Sequence, residues 1–206
     1  LSSQSICNSI SEILGTDHLY FYDAISPIVY ADTIDMSIAF EASRYQSGSE
    51  ANADYINCPM NEEQYEQFVT GLLQGDRIPL REFEKDIESG VLAGSHRYFE
   101  GCLPIEILAE RGRKSLAYGP MRPVGIVSPY DDQRPYAVVQ LRRDNLAGTL
   151  YNIVGFQTNL KWHDQKNVLR MIPGLGQARF ARYGMMHRNT LINAPTALHE
   201  TLQSRV

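Results

Sequence analysis

Two β-prone runs, residues 136–141 and 149–156, are joined through Arg143-Asp144-Asn145-Leu146-Ala147-Gly148, and this arrangement constrains the fold more than any other stretch of the chain. Val138, Val139 and Leu141 in the first run, and Tyr151, Ile153 and Val154 in the second, suit a pleated surface. The short polar connection ending in glycine predicts a hairpin with a longer loop. Elsewhere, helix-like and strand-like segments mix irregularly, with no regular βαβ alternation, repeat or low-complexity tract. The expected class is therefore α+β, a mixed or antiparallel sheet with packed helices, rather than a doubly wound sheet.

The clearest helix starts at Asn61, whose side chain can cap it while Gln64 reaches back. Tyr65, Phe68, Val69, Leu72 and Leu73 then share one face, and Gly75 ends the pattern. Residues 3–14 carry Ile6, Ile10, Ile13 and Leu14 at helical spacing behind Ser2 and Ser3, with Gly15 as the stop. A weaker helical face, Phe83, Ile87 and Val91, falls within residues 76–97. Residues 160–171 place Trp162, Gln165, Val168, Leu169 and Ile172 near one side before Pro173-Gly174 stops the helix. Trp162, flanked by Lys161 and His163, can stack on a base, but a lone tryptophan on a helical face is more often a core residue. Residues 19–22 and 25–30 favour extended structure, broken near Ser26-Pro27, and residues 43–52 read as a loop.

A chain of 206 residues with 43% apolar content can bury a sizeable core as one domain or two closely packed lobes. No apolar run approaches the ~20 residues that span a bilayer, and the start lacks a signal-peptide pattern, so a soluble, cytoplasmic protein is expected. Cys7, Cys58 and Cys102 are three widely spaced cysteines, expected to be free thiols. The five histidines show no metal-ligand spacing, and no metal is expected. The net charge of −5 conceals an asymmetry: residues 1–76 hold twelve acids against Arg44 alone, whereas residues 134–188 hold nine bases against Asp144 and Asp164. Those bases either form a face that meets phosphates or pair with the acidic first third.

Cys102 lies just ahead of Pro104, which fits the opening turn of a helix running through Ile105, Leu108 and Ala109 toward Gly112. Free N–H groups and the helix dipole favour a thiolate there, while Glu100 and Glu106 oppose it. A small buried hydrophobe is the alternative reading of the same cysteine. From Tyr98 to Gly125 the chain reads YFEGCLPIEILAERGRKSLAYGPMRPVG, followed later by RPYAVVQLRRDNLAGTLYNIVGFQT and ARYGMMHRNT. With residues 19–24 (LYFYDA) and 54–60 (DYINCPM), these segments closely resemble the folate-dependent, FAD-containing tRNA uracil-5-methyltransferases.

That resemblance implies that residues 1–206 correspond to the domain inserted into the flavin-binding domain of such an enzyme, with the flavin-binding part lying outside this sequence. Gly174-Leu175-Gly176 is the only glycine pair resembling a dinucleotide loop, but it precedes a strand-like run and reads as an ordinary turn. The resemblance further implies that the whole protein methylates C5 of the T-loop uridine of tRNA. The carbon comes from methylenetetrahydrofolate by way of reduced FAD, and NAD(P)H restores the flavin. Matching Gly101-Cys102-Leu103-Pro104 to the family motif makes Cys102 the nucleophile that attacks uracil. His187 becomes the candidate that lies against the folate pterin. Arg142, Arg143 and Arg188 become candidates for tRNA phosphates or the folate glutamate tail. Cys58 reads as structural. The isolated chain is expected to be inactive. Two other readings stay open: a wobble-uridine modifying enzyme of the glucose-inhibited division protein A type, and a domain that chiefly docks tRNA.

Overall fold

The computed structural model describes residues 3–15, 19–44, 55–78, 103–192 and 194–205. In chain order the elements are α1 (Gln4–Leu14), β1 (Leu19–Ile25), β2 (Ile28–Tyr30), β3 (Phe40–Ala42), β4 (Tyr55–Met60), α2 (Glu62–Gln74) and α3 (Ile105–Glu110). They continue with α4 (Ser115–Tyr118), β5 (Ala137–Arg143), β6 (Leu150–Ile153), α5 (Trp162–Leu169), β7 (Phe180–Arg182), β8 (Met185–Leu191) and α6 (Ala194–Ala197). The chain divides into two compact units, a smaller one of Leu1–Asp23, Leu80–Cys102 and Met186–Val206, and a larger one of Ala24–Pro79 and Leu103–Met185.

In the smaller unit, β1 and β8 form a two-stranded sheet. The helix α1 begins where the serines predict: the Ser3 hydroxyl accepts from the Ile6 N–H, and Gly15 ends the helix at φ 61°. The expected helical face of Phe83, Ile87 and Val91 lies outside the described residues.

The larger unit is built on a six-stranded sheet in the order β3-β4-β5-β6-β2-β7, in which each neighbouring pair is antiparallel. The fold is α+β, as the sequence predicts. The predicted hairpin is present as β5 and β6, with Leu141 opposite Ile153 and Arg143 opposite Tyr151. Its connection is held by Asn145, whose Oδ1 accepts from the Thr149 N–H at 3.0 Å. Alternation along β4 and β5 sends Ile56, Cys58, Met60, Val139 and Leu141 into the main core, where they meet Tyr65, Phe68, Val69 and Leu72 of α2 and Val168 and Leu169 of α5. The opposite face carries Phe40, Ile126 and Val138. There the buried Asn57 and Gln140 stand in register and share a 2.9 Å hydrogen bond, while the Asn57 amide also donates to the Ala42 carbonyl.

Two features run against the sequence signals. Pro59 sits inside β4, a strand with neighbours on both sides; β3, however, pairs only with residues 55–57, so no ladder partner is lost where the proline falls. Gly75 stops α2 without the left-handed conformation usual for a C-terminal glycine, at φ −65° and ψ 140°. Its reason is space: a Cβ there would stand 2.9 Å from Leu160 Cδ2.

Candidate functional site

Cys102 lies outside the described residues, and the described chain resumes at Leu103. Leu103 is buried, and Pro104 is the N-cap of α3 at φ −56° and ψ 140°, one position earlier than its sequence reading placed it. The Pro104 carbonyl accepts from the N–H groups of Ile107 and Leu108 at 3.0 and 3.1 Å. The helix has six residues, less than two turns, so the dipole expected to favour a thiolate is that of a short element.

What fixes this helix is a joint to the segment before α5. The Ile105 N–H donates to the Gln157 carbonyl at 2.8 Å. The Glu106 carboxylate is fully buried and accepts from the Asn159 N–H at 2.7 Å and from the Thr158 hydroxyl at 2.9 Å. The Thr158 oxygen in turn accepts from the Leu160 N–H at 3.1 Å. Burial pushes the Glu106 carboxyl above its ordinary range, opposed by the bonds from Asn159, its own backbone and Thr158 and by the Arg77 charge. Sequence reading treated Glu106 as a flanking charge opposing the Cys102 thiolate. In the structure the carboxylate points into the Thr158–Asn159 joint and is a structural anchor.

His187 and Arg188 lie on β8, with side chains outside the described set. Arg142 and Arg143 are exposed at the end of β5, and as successive strand residues they point to opposite faces of the sheet. Arg142 stands opposite Tyr55 and Asn152, and Arg143 opposite Tyr151, so the two guanidiniums do not form one clamp. Cys58 is fully buried, and burial pushes its thiol up to about 12, consistent with a packing role. Among the described residues no group of histidines, cysteines and carboxylates is arranged to hold a metal ion, and no helix is long and apolar enough to cross a membrane.

Gly174-Leu175-Gly176 lies in the turn between α5 and β7. Gly174 has φ +87°, and a Cβ there would stand 3.2 Å from Ala39 Cβ and 3.5 Å from Cys58 Sγ. The glycine serves close packing and a turn, as its sequence order predicts.

Trp162 departs from expectation. Gln165, Val168, Leu169 and Ile172 are buried, but Trp162 is 58% exposed. Its ring lies 6.1 Å from that of Tyr183 at 17°, and Tyr183 lies 5.2 Å from Phe180 at 25°, so the three rings form a stack. The stack is set by Gln165, whose amide nitrogen donates to the carbonyls of Leu160 and Gly184 at 2.7 and 3.0 Å while its oxygen accepts from the Gly184 N–H at 2.8 Å. The flanking lysine and histidine mark Trp162 in the sequence, whereas nothing local announces Tyr183 as its partner.

Of the two open readings of the charge asymmetry, pairing with the acidic first third is realised in part. Arg179 pairs with Asp32 at 2.7 Å and Lys161 with Asp76 at 2.9 Å, joining basic and acidic thirds. Arg134, Arg142, Arg143, Lys166 and Arg182 are exposed and belong to no ion pair among the described residues.

Comparison with known proteins agrees with this architecture. The chain is 52% identical over 205 residues to the methylenetetrahydrofolate–tRNA-(uracil-5-)-methyltransferase TrmFO of Heliobacterium modesticaldum, a match covering 100% of this chain and 44% of that protein. It is 53% identical over 203 residues to the Bacillus licheniformis protein of the same name, covering 98% and 44%. The chain thus spans less than half the length of these curated relatives. The solved structures of Aquifex aeolicus GidA in two crystal forms share the fold with TM-scores of 0.54 and 0.53 at 14% and 16% identity, covering 96% of this chain and 28% and 30% of theirs. The family described as Glucose inhibited division protein A matches residues 1–206, and the chain belongs to that family.

Proposed function

We propose that the whole protein methylates C5 of the T-loop uridine of tRNA, with methylenetetrahydrofolate as carbon donor and FAD, reduced by NAD(P)H, as cofactor. Identity of 52% to a methyltransferase of that name over the entire chain carries this reading. In it, residues 1–206 are the insertion domain, and the flavin is assigned to the part of the relatives' length that this chain does not span. The setting is the cytoplasm.

The chemistry asked of this chain is activation of the base. Uracil C5 is a poor nucleophile until a group adds to C6, and a thiolate suits such reversible addition. The Cys102 sulfur forms a bond to C6, and the displaced electron pair spreads over C5 and O4 as an enolate. C5 then bonds to the one-carbon unit as the bond to its carrier breaks, loses its proton, and expels the sulfur to restore the ring. The two electrons that bring the methylene-level carbon to a methyl group would come from the reduced flavin. The Glu106 joint fixes the segment from which Cys102 departs. His187 lies against the pterin, and Arg142, Arg143 and Arg188 meet phosphates or the folate carboxylates.

The test uses the whole protein with tRNA. Wild type is expected to yield 5-methyluridine by nucleoside mass analysis, and Cys102→Ala to lose methyl transfer along with the covalent adduct on T-arm RNA carrying 5-fluorouridine. Unchanged methylation by Cys102→Ala would remove Cys102 from the reaction. A carboxymethylaminomethyl product at the wobble position would assign the activity to the other branch of the family, a reading favoured by the family description and the GidA fold.

A further inference from the structure

We infer that the Trp162–Tyr183–Phe180 stack is a docking platform for an unpaired RNA base, with Lys166 and Arg182 placed to meet the adjoining phosphates. The inference rests on the proposed function only in taking tRNA as the substrate. Three observations carry it. First, the stack is open at one end: Trp162 lies nearly parallel to Tyr183 on one side and is 58% exposed. A base can continue the stack on the exposed indole surface.

Second, the platform is built rather than incidental. Gln165 is fully buried, and its reciprocal bonds with Gly184 lock α5 to the turn after β7, fixing Trp162 and Tyr183 in one register. Gly184 has no room for a side chain, because a Cβ would meet Thr158 Cγ2 at 2.8 Å and the Ile25 carbonyl at 3.2 Å. Third, the charge around it suits an anion. Lys166 follows Trp162 by one helical turn on α5, and Arg182 precedes Tyr183; both are exposed and neither is ion-paired among the described residues. Lys161 is ion-paired with Asp76 and His163 stands 3.9 Å from Asp164, whereas Lys166 and Arg182 have no such partner among the described residues. Aromatic stacking with flanking free cations fits a splayed nucleotide better than an apolar protein surface.

The experiment measures T-arm hairpin RNA affinity for the whole protein carrying Trp162→Leu or Trp162→Phe, with thermal melting as the folding control. Trp162→Leu is expected to weaken binding roughly tenfold, and Trp162→Phe to stay near wild type because it keeps a stacking face. With an RNA whose loop nucleotides are abasic, the difference between wild type and Trp162→Leu should vanish. Lys166→Gln should reduce the salt slope of binding by about one. Equal affinity of Trp162→Leu and wild type for the intact hairpin overturns the platform, and does so while leaving the proposed function standing if 5-methyluridine still forms. Equal affinity with a lowered melting temperature identifies the stack as a contact for another protein segment, and also overturns it. RNA binding that depends on Trp162 without formation of 5-methyluridine upholds the platform and removes the proposed reaction. Absence of any RNA binding removes both.

Discussion

Glu106 is held by the Asn159 N–H and the Thr158 hydroxyl where water does not reach. Its folded carboxyl takes a proton more readily than in the unfolded chain, where it titrates near 4.5. The sign follows from linkage: with the folded value raised, the group favours folding below 4.5, and that contribution is lost as pH rises through the folded value. Glu106→Gln can keep the Asn159 bond through its oxygen and donate to Thr158 without carrying a charge. Urea unfolding from pH 4.5 to neutrality should therefore show the wild type losing stability relative to Glu106→Gln as pH rises. A difference independent of pH would show that Glu106 titrates alike in both states. Sequence legibility at this scale depended on partners. Cys58 reads as a packing residue because an unpaired cysteine most often is one, and its full burial agrees. The anchoring role of Glu106 is not legible in the sequence because its partners lie some fifty residues downstream.

Local signals decide the elements that were legible. The capping box on α2 has both its bonds, Gln64 N–H to Asn61 Oδ1 at 2.8 Å and Asn61 N–H to Gln64 Oε1 at 3.0 Å. Asn61→Ala should cost about 1 kcal/mol, read as a lower denaturation midpoint with an unchanged m-value, whereas Asn61→Ser should recover most of it. The β5–β6 hairpin was likewise readable from the residues it contains. β3 and β4 carry little local strand signal: the first has three residues, and the second contains Pro59. Their strand character comes from tertiary pairing, β4 against β5 over residues 55–60 and β3 against the end of β4. The aromatic platform was half legible for the same reason. Its tryptophan stands out in the sequence, but its register depends on a buried glutamine holding a glycine nineteen positions away.

At the scale of the whole molecule, the split between an acidic first third and a basic last third was visible in the sequence, while its spatial outcome was not. Folding brings Asp32 to Arg179 and Asp76 to Lys161, but both pairs are well exposed, with side-chain accessibilities of 68% and 60% in the first and 71% and 51% in the second. Such pairs are screened by salt and contribute little. A double-mutant cycle on Asp76 and Lys161 should return a coupling below about 1 kcal/mol that fades in molar salt. A larger, salt-insensitive coupling would mean that this pair helps hold the Arg77–Leu160 bridge beside it. The placement of Trp162 also determines what light can report. It is the only tryptophan in these 206 residues, and its indole stands at the surface while the sheet core is lined by aliphatic side chains, tyrosine and phenylalanine. Near-ultraviolet emission excited at the indole band therefore tracks solvent and occupancy at the ring stack, and the collapse of the core must be followed by tyrosine absorbance or far-ultraviolet dichroism instead.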